Sequence, residues 1–194
     1  MAQQTPTAAR LALEDGTVFH GSGFGAISAT NLSQGEVVFS TTMCGYQEAL
    51  SDPSFSGQIL VMTPTEIGNY GVNNDDVESA TPQVAGFVIR ELSARHSNYR
   101  ATQDLSAWLA AHGVIGIYGI DTRALVRKLR TQGALRGVIS GDEKLSDEQL
   151  VAKANAITSM AGQNLAARVS PASPGTWTQT LGAWADASDE KKFD

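Results

Sequence analysis

The chain has 194 residues, of which 42% are hydrophobic and 18% are charged, and its formal net charge is -6. This length and composition are those of a folded domain with its own core and exclude an intrinsically disordered chain. The negative net charge argues against a nucleic-acid partner or an anionic membrane surface, either of which would favour a basic face.

Cysteine content and hydropathy exclude further classes of protein. Cys44 is the single cysteine, which excludes an internal disulfide and a cysteine-rich zinc site. No apolar run reaches the roughly 18–20 residues that cross a bilayer, and residues 1–10 lack the apolar segment of a secretory signal. We therefore expect a cytoplasmic protein with no membrane partner and a flexible N-terminus over residues 1–10.

The first half of the chain predicts β-strands. Asp15-Gly16 between two apolar runs indicates a hairpin of residues 11–13 and 17–19. Further strands are predicted from β-branched content, and a loop-rich stretch of about 20 residues, which is typical of a functional loop, separates the last two. The strands cover residues 36–41, 58–62 and 84–90, and the loop covers 63–83. Three glycines after the hairpin are interpreted as a flexible connector or bulge: Gly21, Gly23 and Gly25.

The second half alternates helices and strands. A helix capped by Thr102 and ended by Gly113 precedes a strand at 114–117. A second helix over 122–132 is capped by Asp121 or Thr122 and ended by Gly133, and a strand follows at 135–140. A third helix begins at Ser146, where Gln149 completes a capping box. This order predicts a mixed α/β domain whose sheet is covered by helices.

Special residues are densest at 41–48 and 51–55. From the residues alone, a strand-to-turn junction followed by an Asp-capped turn explains them. Cys44 could be a nucleophile, but nothing in the sequence places a histidine base beside it, so a small apolar side chain is the favoured interpretation and a thiol hydrolase the alternative. The spacing of the histidines gives no metal site either; they are His20, His96 and His112.

One helix carries the densest basic group of the chain. The group consists of Arg123, Arg127, Lys128 and Arg130. A solvated helix face is the usual explanation of such a group.

Several segments, in order, resemble the small-subunit family of carbamoyl-phosphate synthetase. The similarity covers roughly residues 10 to 180 and is carried by residues 13–21, 35–39, 43–48, 52–55, 67–71, 120–125 with Arg130 and Gly133, and 162–165. So much ordered agreement is more specific than any single motif.

The resemblance implies a fold and a role. It implies a swivelling β/β/α-type domain over 11–169, followed at 170–194 by a linker towards a glutamine amidotransferase domain that this chain lacks. The family's Cys-His-Glu triad belongs to that domain, so no catalytic residue, metal ligand or cofactor is expected here. Ammonia from glutamine would pass to a large subunit, which uses ATP and Mg to make carbamoyl phosphate for arginine and pyrimidine synthesis.

The resemblance also assigns individual residues. Ser54 would contact the bound L-glutamine, and Thr42 and Met43 would lie near the route that ammonia takes. Cys44 stands where the family more often has threonine. The domain as a whole would dock the large subunit; a stand-alone binding module of the same fold is the alternative. Two tryptophans of the tail, Trp177 and Trp184, would need burial against the domain or against a further one.

Overall fold

The structure, a computed structural model, describes residues 7–171, 173–176 and 178. The strands are β1 (Ala8–Leu13), β2 (Val18–Gly25), β3 (Leu32–Ser40), β4 (Ile59–Met62), β5 (Glu66–Ile67), β6 (Gly86–Val88), β7 (Glu91–Leu92), β8 (Ile115–Tyr118) and β9 (Leu135–Ser140). The helices are α1 (Tyr46–Ser51), α2 (Leu105–Ala111), α3 (Thr122–Gln132), α4 (Asp147–Asn155) and α5 (Ala166–Val169), and a 3₁₀ turn, Pro53–Phe55, follows α1.

Seven of the strands close into a barrel in the order β1-β2-β8-β6-β4-β3-β9. The β3, β4, β6 and β8 neighbours pair in parallel, whereas β1 pairs antiparallel with both β2 and β9. Two further antiparallel pairings, β2 with β8 and β3 with β9, complete the ring. The predicted α/β class with a mixed sheet flanked by helices is confirmed, and closure of that sheet is an addition to the prediction.

Strand alternation distributes the apolar side chains over three cores. In β4, Ile59 and Val61 contribute to one core, and Leu60 and Met62 contribute to another, because successive side chains of a strand point to opposite faces. The first core fills the barrel and includes Leu125 of α3. The second lies under α1 and α2 and includes Tyr46, Leu50, Phe87, Leu105 and Trp108. The third lies under α4 and consists of Ala12, Val138, Leu150 and Ala154.

The helix boundaries follow the predicted capping residues in two of three cases. Helix α3 and strand β9 have their predicted bounds, and the Asp121 carboxylate accepts from the Ala124 N–H at 2.9 Å. The Ser146–Gln149 capping box is present at α4. The predicted cap Thr102 is wrong for α2: Asp104 accepts from the Ala107 N–H, and the Thr102 hydroxyl instead donates to the Val72 carbonyl.

The glycine-rich segment is a strand, which corrects the predicted connector. A Cβ at Gly21 would lie inside contact distance of the Tyr118 carbonyl oxygen, and one at Gly25 would lie equally close to the Val114 carbonyl. Glycine therefore lets β2 pass close to β8 and the chain that precedes it. The pairing registers run through these glycines: Gly21 is opposite Ala9 of β1, and Gly25 is opposite Ile115 of β8.

The predicted flexible N-terminus, residues 1–10, is wrong for its last residues. Strand β1 already begins at Ala8; the Ala9 side chain is buried, and Arg10 forms an ion pair with Asp147 at 2.8 Å. Residues 1–6 lie outside the described part, as do Trp177, Trp184 and most of the predicted linker 170–194. The outer strand boundaries also differ: β3 begins four residues before the predicted strand at 36–41, and β6 is shorter than the predicted strand at 84–90.

Candidate functional site

Two short segments flank α1, and they contain all the site residues that the sequence predicted. Residues 41–44 connect β3 to α1 and are exposed, with Met43 82% exposed. Residues 52–55 follow α1 and form the 3₁₀ turn. A helix of six residues is about 9 Å long, so the two segments lie at its two ends.

A tyrosine from a distant loop holds the beginning of α1. Gly45 has a φ of 83°, a left-handed conformation that suits glycine, and no side chain of the helix itself caps α1. The N–H groups of Gly45 and Tyr46 both donate to the Tyr70 hydroxyl oxygen, at 2.7 and 3.1 Å. Tyr70 therefore satisfies two of the N–H groups that a helix start leaves unpaired.

The same tyrosine is oriented by a second aromatic ring. Tyr70 and Tyr46 stack with ring centroids 4.1 Å apart and an interplanar angle of 17°, and the Tyr46 hydroxyl donates to the Gly71 carbonyl at 2.5 Å. Burial raises the pKa of both Tyr46 and Tyr70 above the ordinary tyrosine value. The Tyr46 hydroxyl therefore keeps the proton that it donates to the Gly71 carbonyl.

A network of hydrogen bonds also connects α1 to the loop 63–83. The Gln47 side chain donates to the Asn73 carbonyl at 2.5 Å and accepts from the Asn73 N–H at 2.9 Å. The Asn73 side chain in turn accepts from the N–H groups of Asp75 and Asp76. Arg100 forms ion pairs with both of these carboxylates. Because Gln47 and Asn73 are buried, these bonds are needed to offset the loss of water.

The turn that follows α1 presents Ser54 to solvent. The Asp52 carboxylate accepts from the Ser54 N–H at 2.8 Å, and Pro53 occupies the first position of the turn. Ser54 is exposed, and among the described residues its hydroxyl has no hydrogen-bond partner. The end of α1 is secured separately, since the buried Ser51 hydroxyl accepts from the Glu78 N–H and donates to the Gln47 carbonyl.

The Glu48 carboxyl, on the first turn of α1, is poorly compensated in its surroundings. Its Oε2 atom is buried and has no hydrogen-bond partner in the described part of the chain. Burial raises the pKa of the Glu48 carboxyl, repulsion from Asp76 and Glu78 raises it further, and Arg100 counteracts part of the increase. The carboxyl lies beside Gly45, the residue that precedes α1.

The structure separates the other candidate residues. Cys44 is exposed and free. The Nδ1 atom of His112 lies 2.8 Å from the Trp108 carbonyl oxygen, at the end of α2. The Nε2 atom of His20 lies 3.4 Å from Oδ2 of Asp147. Within the described ranges, no group of three His, Cys, Asp or Glu side chains could hold a metal ion. The helices of this same part of the chain are all too short or too polar to span a bilayer.

The residues that hold α1 in place were not found from the sequence. Tyr70 and Asn73 are 24 to 26 residues from their partners Tyr46 and Gln47, and their hydrogen bonds are set by the packing of the loop on the barrel. The predicted functional loop 63–83 was the only signal. It located the segment but not the contacts.

These features define an α/β barrel domain that displays two short loops from a rigid, hydrogen-bonded base. The family model of the carbamoyl-phosphate synthase small chain, CPSase domain, matches residues 11–139. The chain belongs to this family, which confirms the resemblance found in the sequence.

Two relatives show the extent of the similarity. The carbamoyl phosphate synthase small chain of Rhodopirellula baltica is 50% identical over 184 residues, which is 95% of this chain and 46% of the relative. That of Aquifex aeolicus is 52% identical over 169 residues, 87% of this chain and 44% of the relative. The chain thus spans slightly less than half the length of these relatives.

One solved structure aligns with part of this chain. An aminopeptidase from Aneurinibacillus sp. strain AM-1 aligns with a TM-score of 0.40 and 18% identity, over 71% of this chain and 31% of its own. No functional argument follows from a similarity of this size.

Proposed function

We propose that this chain is the part of a glutamine-hydrolysing carbamoyl-phosphate synthase that docks a larger chain and helps to form the glutamine site. The domain contributes no reactive group in this proposal, and its effect is positional. Membership of the small-chain family and about 50% identity to proteins named carbamoyl phosphate synthase small chain support it.

The observation that carries the proposal is the way α1 is held. The Tyr46–Tyr70 stack, the Gln47–Asn73 exchange and the Asp52-capped turn all fix the backbone around α1. Residues 41–44 and Ser54, at its two ends, remain exposed. A rigid base of this kind lowers the entropy cost of ordering a loop against a ligand. Holding a substrate in one orientation and excluding water can lower a barrier by several kcal/mol without any proton transfer.

The roles within the proposal follow the two segments. Ser54, whose hydroxyl is exposed, would contact the L-glutamine bound by the remainder of the enzyme. Thr42 and Met43, at the other end of α1, would border the route along which ammonia leaves. Carbamoyl phosphate would form on the larger chain with ATP and Mg, in the cytoplasm, and would supply arginine and pyrimidine synthesis.

Replacing Ser54 by tyrosine in the assembled enzyme tests this role. We expect glutamine-dependent synthesis to fall at least tenfold, because the larger side chain would occupy the glutamine site, and synthesis from free ammonia to stay within about twofold. Steady-state rates with each nitrogen donor measure the two activities. Ser159→Tyr, at an exposed serine in another part of the chain, is the control. An equal loss of both activities in Ser54→Tyr would contradict the proposal.

A further inference from the structure

The basic face of α3 has no counter-charge in the described part of the chain. Arg123, Arg127 and Arg130 are all exposed, and within the described ranges none of their guanidinium groups forms an ion pair or a side-chain hydrogen bond. Lys128, on the same helix, is different, because it pairs with Asp15 at 2.6 Å. A row of three arginines along one helix, without a counter-charge in the described part, is unexpected in a chain whose net charge is -6.

Helix stability does not explain the row. Arg123 occupies the first turn of α3, which contains no acidic residue, and a cation there opposes the helix dipole. Arg123 and Arg127 are four residues apart, a spacing at which like charges repel. Only Arg130, in the last turn, is favourably placed with respect to the dipole. Two of the three charges thus weaken the helix that carries them.

The row adjoins the first exposed segment. Thr41 and Thr63 line one cleft of about 370 Å³ together with Thr122, Val126 and the three arginines. Met43, two residues beyond Thr41, is 82% exposed. We name this surface, formed by Thr41, Thr63, Arg123, Arg127 and Arg130, the α3 face. Arginine is enriched at protein–protein interfaces, and lysine and glutamate are depleted there.

The geometry points to a protein partner. Arg123 and Arg130 are seven residues apart, so their backbone positions are separated by about 10 Å along the helix axis. The three guanidinium groups line one cleft and extend the positive charge along the helix, and a protein surface that carries several carboxylates would complement that charge.

We infer that the α3 face docks an acidic surface of the larger chain of the synthase. This inference rests on the proposed function, and it specifies which surface of the domain makes the contact and with what chemistry. Electrostatic attraction of this kind raises the association rate and weakens as salt increases.

The test compares charge reversal on the α3 face with charge reversal elsewhere. In the full-length small chain, the triple variant Arg123→Glu, Arg127→Glu, Arg130→Glu should bind the larger chain at least tenfold more weakly than wild type, with a lower association rate and a smaller dependence on salt. The matched control, Arg95→Glu, Lys144→Glu, Lys153→Glu, changes the net charge by the same amount at exposed positions outside the α3 face. It should bind within about twofold of wild type. Surface plasmon resonance between 50 and 500 mM NaCl measures both.

The single variant Arg123→Glu separates docking from folding. Because a negative charge in the first turn favours the helix dipole, its melting temperature should be unchanged or higher by a few degrees, while its binding is weaker. A purely structural arginine would give the opposite change in stability.

The outcomes distinguish the inference from the proposal on which it rests. If wild type does not bind the larger chain at all, the proposed function fails. If wild type binds and the α3 triple variant binds equally well, only the α3 face is wrong. The inference is also overturned if inorganic phosphate stabilises wild type but not the triple variant, which would assign the cleft to a small anion, or if the row drives self-association of the small chain.

Discussion

Tyr70 shows how much of the candidate site depends on single side chains. Its hydroxyl oxygen accepts from two N–H groups at the start of α1, where Gly45 offers no side chain for capping. Its ring packs on Tyr46, which is almost fully buried. Tyr70 thereby combines the hydrogen bonds of a helix cap with aromatic packing against the core.

Glu48 gives a prediction about pH at the same scale. Its folded-state pKa is raised above the ordinary value of 4.5, so the folded chain holds its proton more tightly than the unfolded chain does. The stability that this proton provides is fully present below about pH 4.5 and is lost as pH rises through the folded-state pKa. Glu48→Gln should therefore increase the free energy of unfolding at pH 7.5 by about 1 kcal/mol, a value reduced by the water that reaches the group.

Urea unfolding of Glu48→Gln and wild type at pH 7.5 and pH 4 measures this difference. The gain should shrink at pH 4, where both states of wild type are largely protonated. Glu148→Gln is the control. The hydrogen bond from Ser146 lowers the pKa of this exposed carboxyl, so removing its charge should not increase the free energy of unfolding. A gain for Glu48→Gln that is equal at both pH values would mean that the charge is not its cause.

At the scale of elements, close backbone approach decides the path of β2. Gly21 lies where any side chain would meet the Tyr118 carbonyl and the Ile120 side chain. Gly21→Ala should lower the free energy of unfolding by about 1–3 kcal/mol, since the strands must move apart to admit one methyl group. Thermal or urea unfolding measures the change. Gly175→Ala is the control, since no atom of the described residues lies within 4 Å of the added carbon, and it should be neutral within about 0.5 kcal/mol. If Gly21→Ala leaves the free energy of unfolding unchanged, β2 and β8 can move apart at no measurable cost.

At the scale of the whole molecule, the barrel strands connect the three cores. In β1, for example, Leu11 and Leu13 face the barrel interior while Ala12 packs under α4. A strand cannot leave one core without leaving the other, so the described domain should unfold as one cooperative unit.

Leu150→Ala tests this cooperativity from the smallest core. Removing the fully buried Leu150 should cost about 2–5 kcal/mol, and amide hydrogen exchange should accelerate in β6, which lies outside that core, as much as in α4. Val169→Ala, at a partly exposed apolar position, is the control and should change stability by less than about 0.5 kcal/mol. Faster exchange confined to α4 would show that α4 opens independently.

The sequence by itself determined the elements whose signals are local. Asp121 and Gly133 bound α3, and Ser146 with Gln149 begins α4, because capping bonds span only three or four residues. Ordered agreement over most of the chain was enough to indicate the family. The position of Ser54 in an Asp-capped turn was likewise readable from Asp52 and Pro53.

Only the tertiary structure determined how the strands close into a barrel and which distant residues hold α1 in place. The need for glycine at position 21 is visible only when β8 lies beside it. Tyr70 caps α1 only because the loop 63–83 packs against the helix, 24 residues away in sequence. Closure of the barrel depends in the same way on β3 meeting β9, which lies about 100 residues later. Such contacts depend on the simultaneous packing of distant segments, and no short stretch of sequence contains that information.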